Sequence, residues 1–198
     1  MKSFTYFSGA HKGNKPEYLE AAHKIGTFLG AKGCFAKYGG SKTGLMGEFC
    51  FAFMDAVKEQ NSAGRILGIL PQKYFNVNRP DEIGIEYLLT ETLSERKHEL
   101  IKDVDAFLVM PGGIGTLDEV FEIVETDYKP ADRDPTIGEY TIRPIFILNS
   151  FGYYDATKAQ LDHMVKEGFL IPKKIENIFF IDTIEDYLAA LEKFLKEN

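Results

Sequence analysis

The sequence of 198 residues lacks several features that would assign it to a particular class of protein. Its two cysteines, Cys34 and Cys50, show no metal-ligand spacing and suggest no disulfide framework. No apolar run approaches the roughly 20 residues of a membrane span. The first residues, MKSFTYFSGA, lack the apolar core and cleavage pattern of a secretory signal. These absences predict a cytoplasmic protein with no membrane partner.

Positive charge is also scarce. Lys and Arg total 23 against 30 Asp and Glu, the formal net charge is -7, and no basic cluster exceeds a few residues. Because binding to a nucleic-acid backbone needs concentrated positive charge, we expect no nucleic-acid partner. A small anionic ligand needs only local positive groups and is compatible with this composition. The four histidines are scattered without ligand spacing, so we expect no metal site.

Short apolar runs alternate with helix-length amphipathic stretches along the whole chain. This pattern predicts a parallel sheet with crossover helices on both faces, in a single α/β domain over residues 1–198. The predicted strands are 3–8, 34–38, 65–70, 106–110, 143–148 and 177–181. The predicted helices lie near 15–30, 44–61, 92–103, 116–129, 153–167 and 183–196.

Two segments interrupt the alternation. Residues 71–87 and 129–143 are rich in proline, glycine and charge, which predicts loops rather than core elements. Long loops in a compact domain often contact a ligand or a second subunit.

Three glycine-containing turns follow predicted strands, at 8–13, 38–47 and 111–116. Because ligands of open parallel sheets bind beyond the carboxyl ends of the strands, all three turns are candidate binding loops. The third, PGGIGT, precedes a helix that we expect to begin near Thr116. Its glycines let a ligand approach the backbone closely, and a helix N-terminus suits a phosphate group.

The same stretch has a purely structural interpretation. It contains neither GxxxxGK[ST] nor a complete GxGxxG, and Thr116-x-x-Glu119 matches a capping box. The predicted apolar stripe of this helix leaves Glu119 on another side, and helical side chains lean toward the N-terminus. Glu119 would then point back over the loop, where it could meet the ribose of a bound nucleotide. That stripe consists of Leu117, Val120, Phe121 and Val124.

An Arg-Lys pair lies on the preceding helix, beside its predicted buried face. Arg96 and Lys97 either extend their charged ends to solvent or meet an anion, and two adjacent cations favour the anion. Glu95 and Glu99 could also neutralise the pair as ordinary surface ion pairs. The residues of the predicted buried face are Leu93, Leu100, Ile101 and Val104.

Together these motifs resemble the LONELY GUY (LOG) family, often described as "possible lysine decarboxylase". The resemblance runs from about residue 4 to 190 and is carried by SERK (94–97), PGGIGTLDE (111–119) and YGGSKTGLMG (38–47), with GYYD (152–155) and EGFLIP (167–172) in matching order. It implies a Rossmann-like doubly wound parallel sheet in three α/β/α layers. It also implies a homodimer with the active site at the subunit interface.

The activity that the resemblance implies is that of a phosphoribohydrolase. Such enzymes cleave the N-glycosidic bond of an N6-modified adenosine 5′-monophosphate, or of AMP, to free base and ribose 5-phosphate, with no metal or organic cofactor. The family's catalytic residues fall on Arg96 and Glu119. The predicted substrate-binding residues are Lys97, Gly112, Gly113, Ile114, Gly115 and Thr116, with Gly9, Gly39 and Gly40 from the other two turns.

The chain departs from the family pattern in three places. Ser41 replaces the third glycine of the triplet after the second strand, VETDYK (124–129) stands where plant members carry a threonine-tryptophan pair, and the 129–143 loop is longer. These departures concern the pocket for the base. A second hypothesis is a non-catalytic nucleotide or cofactor carrier, since molybdenum-cofactor carriers share a PGGxGT-type loop.

Overall fold

The computed structural model describes residues 1–75, 85–126 and 142–197. Seven strands form one parallel sheet in the order β4-β3-β2-β1-β5-β6-β7. The strands are β1 (Ser3–Phe7), β2 (Phe35–Tyr38), β3 (Arg65–Pro71), β4 (Glu86–Thr90), β5 (Ala106–Val109), β6 (Ile145–Leu148) and β7 (Ile178–Ile181). The α-helices of these ranges are α1 (Pro16–Ala31), α2 (Gly44–Gln60), α3 (Leu93–Ile101), α4 (Ile114–Thr126), α5 (Asp155–Lys166) and α6 (Ile184–Lys196).

The central strands are apolar because both of their faces are covered. All four residues of β5 and of β6 are buried. Alternate side chains of β5 enter different clusters: Leu108 packs with residues of α1, α2 and α6, and Phe107 with residues of α3 and α4. A sheet covered on both faces needs continuous apolar strands. The predicted Rossmann-like α/β/α architecture is confirmed.

Helices α1 and α2 approach each other closely because glycines face the contact. A Cβ at Gly26 or Gly30 would lie closer than 3.0 Å to the carbonyl oxygen of Phe49 or Phe53, respectively. The same face of α2 delivers Phe49 to the sheet, where its ring stacks on Tyr6 at 3.8 Å between centroids. Small residues on α1 therefore allow the large apolar residues of α2 to reach the core.

The strand order reverses at β1, whose neighbours are β2 on one side and β5 on the other. The helices that follow β1 and β5 pack on opposite faces of the sheet. The loops after these two strands consequently diverge and leave a crevice at the carboxyl edge, which is where open α/β sheets bind ligands.

The largest difference from the predicted elements is that the sheet has a strand, β4, that was not predicted. Residues 71–87 were expected to form a loop, yet 85–90 lead into and form β4, an edge strand. The sequence EYLLT is short and only partly buried, so it lacks the continuous apolar pattern that marks the central strands. Residues 76–84 lie outside the described residues, as do 129–141 of the second predicted loop.

Within the three described ranges, no helix is both long and apolar enough to cross a bilayer.

We expect Gly30→Ala to lower the free energy of unfolding by about 2 kcal/mol, because the new methyl group would force α1 away from the backbone of α2. Urea denaturation measures this change. Gly115→Ala is the matched control, since a Cβ there would have no atom within 4 Å. A loss of stability equal in the two variants would contradict close helix packing as the cause.

Candidate active site

A cavity of about 390 Å³ opens at the crevice between β1 and β5. This volume lies within the range of small-molecule sites in proteins. Its walls are the loop after β1, the loop after β5 with the first turns of α4, and side chains from α2 and α3. The lining residues are Ser8, Gly9, Ala10, His11, Lys12, Gly13, Tyr18, Leu45, Met46, Arg96, Pro111, Gly112, Gly113, Gly115, Thr116, Glu119 and Tyr153.

Carbonyl oxygens of the loop after β5 accept hydrogen bonds from other parts of the protein. The amide of Gly9 donates to the oxygen of Pro111 at 3.1 Å, which joins the two loops across the crevice. The hydroxyl of Tyr153 donates to the oxygen of Gly112 at 2.6 Å. Tyr154 donates in the same way to Met110 at 2.8 Å. These bonds hold the loop in one orientation.

The amide groups at the start of α4 remain available. The oxygen of Gly113 accepts hydrogen bonds from the amides of Thr116 and Leu117, at 3.1 and 3.2 Å. Among the described residues, the amides of Ile114 and Gly115 have no acceptor, as expected for a first helical turn. With the partial positive charge of a helix N-terminus, they form a surface that favours an anion.

The expected capping box is not formed. The helix begins at Ile114, two residues before the expected start, so Thr116 lies inside the first turn. The carboxylate of Glu119 bonds to Arg96 instead of returning to the helix start. The side chain of Thr116 packs against the loop instead, since a Cβ at Gly112 would lie closer than 3.0 Å to it.

The orientation expected for α4 is also corrected. Glu119 was placed away from the apolar stripe, but only 7% of it is exposed and it lies on the buried face with Val120 and Ile123. Phe121, expected on that face, is 38% exposed. A buried carboxylate is costly unless it is paired, and its pairing with Arg96 explains how the chain tolerates it.

Arg96 approaches the cavity from α3 and is fixed by two acceptors. Its Nε donates to the oxygen of Ile69 at the end of β3, at 3.0 Å, and its Nη1 donates to Oε1 of Glu119 at 3.1 Å. A Cβ at Gly39 would lie closer than 3.0 Å to Nη2 of Arg96 and to the sulfur of Met46. The absence of a side chain at Gly39 therefore leaves the space that the guanidinium occupies.

The cation pair of α3 meets carboxylates of α4, which the sequence analysis did not anticipate. Lys97 pairs with Asp118 at 3.0 Å and with Glu122, outside the cavity lining. The hydrogen bonds that its ammonium group donates to Glu122 and Asp118 raise the pKa of Lys97. The alternative that Glu95 and Glu99 neutralise the pair is wrong.

Glu95 and Glu99 interact with other groups instead. Glu95 accepts a hydrogen bond from the amide of Glu91 at 2.9 Å, while its own amide donates to the hydroxyl of Thr92 at 3.1 Å. Together they cap the start of α3. Glu99 lies 3.7 Å from Lys102. Leu93, expected on the buried face, is 52% exposed at the first turn.

The far end of α3 is tied to the sheet. The ammonium group of Lys37, buried on β2, donates to the carbonyl oxygens of Glu99 at 2.9 Å and Lys102 at 2.6 Å. Burial lowers the pKa of Lys37. Thr5 of β1 bonds to the oxygen of Leu100. Since α3 is capped at its start and held at its end, the helix presents Arg96 from a fixed position.

Burial controls the acidity of Glu119. It raises the pKa of the carboxyl from 4.5 to about 7, while the guanidinium of Arg96 acts in the opposite direction. A carboxyl group with a pKa near neutrality can exchange protons under ordinary conditions, which is what a general base or acid needs. Its Oε2 makes no hydrogen bond with the described part of the chain.

The structure brings most of the predicted site residues to one cavity. Arg96, Glu119, Gly9, Gly112, Gly113, Gly115 and Thr116 line it. Lys97, Ile114, Gly39 and Gly40 are absent from that lining, although Gly39 contacts Arg96 and Ile114 supplies a free amide. Contact of any of these residues with a substrate remains a prediction.

Several lining residues were missed by sequence reasoning. Of the loop SGAHKG only Gly9 was predicted as a site residue, yet Ser8, His11 and Lys12 also line the cavity. Their position after β1 was the available signal, because β1 and β5 end at the same edge. Met46, on the first turn of α2, also lines the cavity.

Comparison with known proteins finds matches over most of the chain. Residues 52–191 match the family described as "Possible lysine decarboxylase". A probable cytokinin riboside 5′-monophosphate phosphoribohydrolase of Oryza sativa subsp. japonica is 31% identical over 96% of this chain and 71% of the relative. The chain belongs to this family, the LOG family. Another LOG relative, a cytokinin riboside 5′-monophosphate phosphoribohydrolase of Arabidopsis thaliana, is 29% identical over 100% of this chain and 86% of its own.

The LOG fold extends to proteins of other kinds. The molybdenum cofactor binding protein of Rippkaea orientalis superposes with a TM-score of 0.67 over 99% of both chains, at 18% identity. This likeness concerns the fold alone, since different functions share such folds.

We expect the stability contributed by Glu119 to fall as pH rises. Its folded pKa of about 7 exceeds the unfolded value near 4.5, so the contribution is complete below pH 4.5 and lost through pH 7. Relative to Glu119→Gln, the natural chain should lose about 3 kcal/mol of unfolding free energy between pH 4.5 and 8. Urea denaturation of both chains at each pH measures the difference. A difference that is constant, or that grows with pH, would show that pairing with Arg96 outweighs burial.

Proposed function

We propose that this chain is a nucleoside 5′-monophosphate phosphoribohydrolase, an N-glycosyl hydrolase. Its substrate would be adenosine 5′-monophosphate, with or without an N6 substituent, and its products free base and ribose 5-phosphate. The observation that carries the proposal is the buried Arg96–Glu119 pair in a cavity that also exposes free helix amides. The names of the relatives point to the same reaction.

The start of α4 is the proposed phosphate site. The amides of Ile114 and Gly115 lack acceptors in the described part of the chain, and no atom lies within 4 Å of a Cβ built at Gly113 or Gly115. A phosphate could therefore approach the backbone without steric hindrance, and the helix dipole would stabilise its charge. Thr116, 4% exposed beside this surface, completes the proposed contact.

Glu119 lies about one helical turn beyond Thr116, and one turn of an α-helix rises about 5.4 Å. A pentose attached to a phosphate on the amides would occupy that interval. The ribose C1′ would then lie beside the carboxylate, and the base would extend toward Arg96 and Met46, which line the same cavity. Binding the phosphate in this way would use remote contacts to orient the reacting carbon.

In the proposed reaction, the bond between C1′ and N9 breaks and its electron pair leaves with the base, which takes up a proton from solvent. Positive charge develops on the sugar, as in other glycoside hydrolyses. The ionised carboxylate of Glu119 stabilises that charge. A water molecule adds its oxygen to C1′ and gives a proton to Glu119. Arg96, bonded to Oε1, keeps Oε2 free to meet this water.

A carrier function is the second hypothesis. Its support is the shared fold with the molybdenum cofactor binding protein, at 18% identity. A carrier needs an anion site but has no need of a carboxylic acid buried against an arginine. The Arg96–Glu119 pair therefore favours the hydrolase.

The proposed enzyme is a homodimer, as the resemblance to LOG proteins implies. Apolar side chains are exposed on the neighbouring helices α3 and α4, where Leu93 is 52%, Phe121 38% and Ile114 82% exposed. A second subunit on this face would cover them, and it would lie next to the cavity. The cytoplasmic location remains a prediction.

We expect Glu119→Gln to reduce the rate of adenine release from AMP at least 1000-fold, on the order of the loss of a general base together with charge stabilisation. Arg96→Gln should reduce it by about 100-fold, because the carboxylate loses its orientation. Chromatography of the free base measures both. Affinity for ribose 5-phosphate should change by less than about threefold in each variant, since neither residue is proposed to hold the phosphate.

The matched control is Glu125→Gln, the same change on the same helix at a side chain that pairs with Lys174 outside the cavity. It should retain full activity. Normal release of adenine by Glu119→Gln would exclude the proposed reaction centre. Tight nucleotide binding by the natural chain without any release of base would favour the carrier.

We also expect kcat/KM for AMP to rise about tenfold per pH unit below pH 7 and to level off above it, because the reaction needs the ionised form of Glu119. The phosphate of the substrate itself loses a proton near pH 6, which adds a second pH dependence to kcat/KM. The inhibition constant of ribose 5-phosphate, measured at each pH, reports this contribution of the phosphate separately. A corrected profile that is flat between pH 5 and 8 would contradict proton transfer to Glu119.

A further inference from the structure

One lysine, Lys12, lines the cavity, and its ammonium group has no partner among the described residues. Two side chains with a permanent positive charge line the cavity in the described structure, Arg96 and Lys12. Arg96 is bonded to Glu119 and to the oxygen of Ile69. Lys12 is exposed and forms no ion pair or hydrogen bond with any described residue. It is therefore free to meet an anionic ligand.

Lys12 belongs to a loop that is held against the start of α4. The amide of Gly9 bonds to Pro111 at 3.1 Å, and a Cβ at Gly9 would lie 3.4 Å from Cα of Gly112. At the other end of the loop, Gly13 lies against the ring of Tyr18, where a Cβ would be 2.8 Å from Cδ2. The loop thus lies beside the glycine turn.

Tyr18 connects that end of the loop to the same turn. Its ring meets Tyr153 edge to face, with centroids 6.2 Å apart, and Tyr153 donates to the oxygen of Gly112. The loop that carries Lys12 is therefore tied to the glycine turn at both ends, directly at Gly9 and through Tyr18 and Tyr153 at Gly13. Glu119 lies about one helical turn beyond the free amides of α4.

A second observation in the same loop points to a ligand. Ser8 lines the cavity and is 5% exposed; its hydroxyl lies near the hydroxyl of Tyr6 but forms no hydrogen bond of normal geometry with any described residue. A buried hydroxyl without a partner is uncommon in native proteins. A polar ligand in the cavity would supply the missing partner.

Lys15, three residues after Lys12, is differently placed. Its ammonium lies 4.5 Å from the centroid of the Phe151 ring, and Lys15 is absent from the cavity lining. Phe151 is 60% exposed, so its ring is open to solvent. Lys15 is therefore a lysine near Lys12 whose ammonium group contacts an aromatic ring outside the cavity lining.

We propose that Lys12 is the residue by which this site selects a 5′-phosphorylated ligand over the unphosphorylated nucleoside. Its ammonium binds the phosphate dianion from the side opposite the amides of α4, and Ser8 donates to the same ligand. A helix N-terminus supplies only about half a positive charge. In a chain of net charge -7, a lysine at this place supplies the charge that a dianion still needs.

The identity of the ligand rests on the proposed function, whereas the role of Lys12 concerns binding of the phosphate and not the chemical step. In the proposed arrangement, Lys12 contacts the phosphate and does not contact the reacting carbon. It should therefore stabilise the bound substrate and the transition state equally. Loss of such uniform binding raises KM and leaves kcat unchanged.

The test measures binding of ribose 5-phosphate, which carries the phosphate but has no bond to cleave, by titration calorimetry at low salt. We expect Lys12→Gln to weaken this binding about tenfold, the effect of one hydrogen bond to a charged group. Lys12→Arg should restore most of it. The KM for AMP should rise by the same factor, with kcat changed by less than about twofold.

Lys15→Gln is the matched control, because it removes the same charge nearby from a side chain outside the cavity. It should weaken binding by less than about twofold. Equal weakening by both variants would show a diffuse charge effect and overturn the inference, as would unchanged binding in Lys12→Gln. A chain that binds ribose 5-phosphate through Lys12 but releases no base would contradict only the proposed function.

Discussion

The ion pair between Arg96 and Glu119 is the constraint on which the rest of the site depends. A carboxylate on the buried face of a helix would destabilise an ordinary α/β domain, and here it is accepted because a guanidinium reaches it from the neighbouring helix. The arginine in turn requires the space at Gly39 and an acceptor at the end of β3. The pair therefore ties together three crossover units of the sheet.

The two ends of the cavity differ in chemistry because different parts of the backbone build them. The amide end is made of main chain, fixed by hydrogen bonds from Tyr153 and Gly9 to loop carbonyls. The acidic end is made of side chains, Arg96 and Glu119, fixed by the tethering of α3 at both of its ends. These two ends would suit a ligand whose anionic group meets the amides while the carbon that becomes positive meets the carboxylate.

Much of the fold followed from local pattern, because β3, β5 and β6 are apolar on both faces, β1 and β2 are largely apolar, and their crossover helices show regular periodicity. The strand β4 escaped prediction because an edge position needs little apolar sequence. At the site, the motifs indicated Arg96 and Glu119. Periodicity alone gave the wrong side of α4 for Glu119, since the pattern of apolar residues cannot reveal that a neighbouring helix brings a cation to a buried carboxyl group.

The bond between Gly9 and Pro111 joins the first loop of the chain to one in its second half. The walls of the cavity thus come from distant parts of the sequence, and both halves of the sheet contribute to the pocket. Occupancy of the pocket is therefore coupled to cooperative unfolding of the entire sheet. A metabolite that fills it would raise the melting temperature of the protein as a whole, in proportion to the logarithm of its concentration above the dissociation constant.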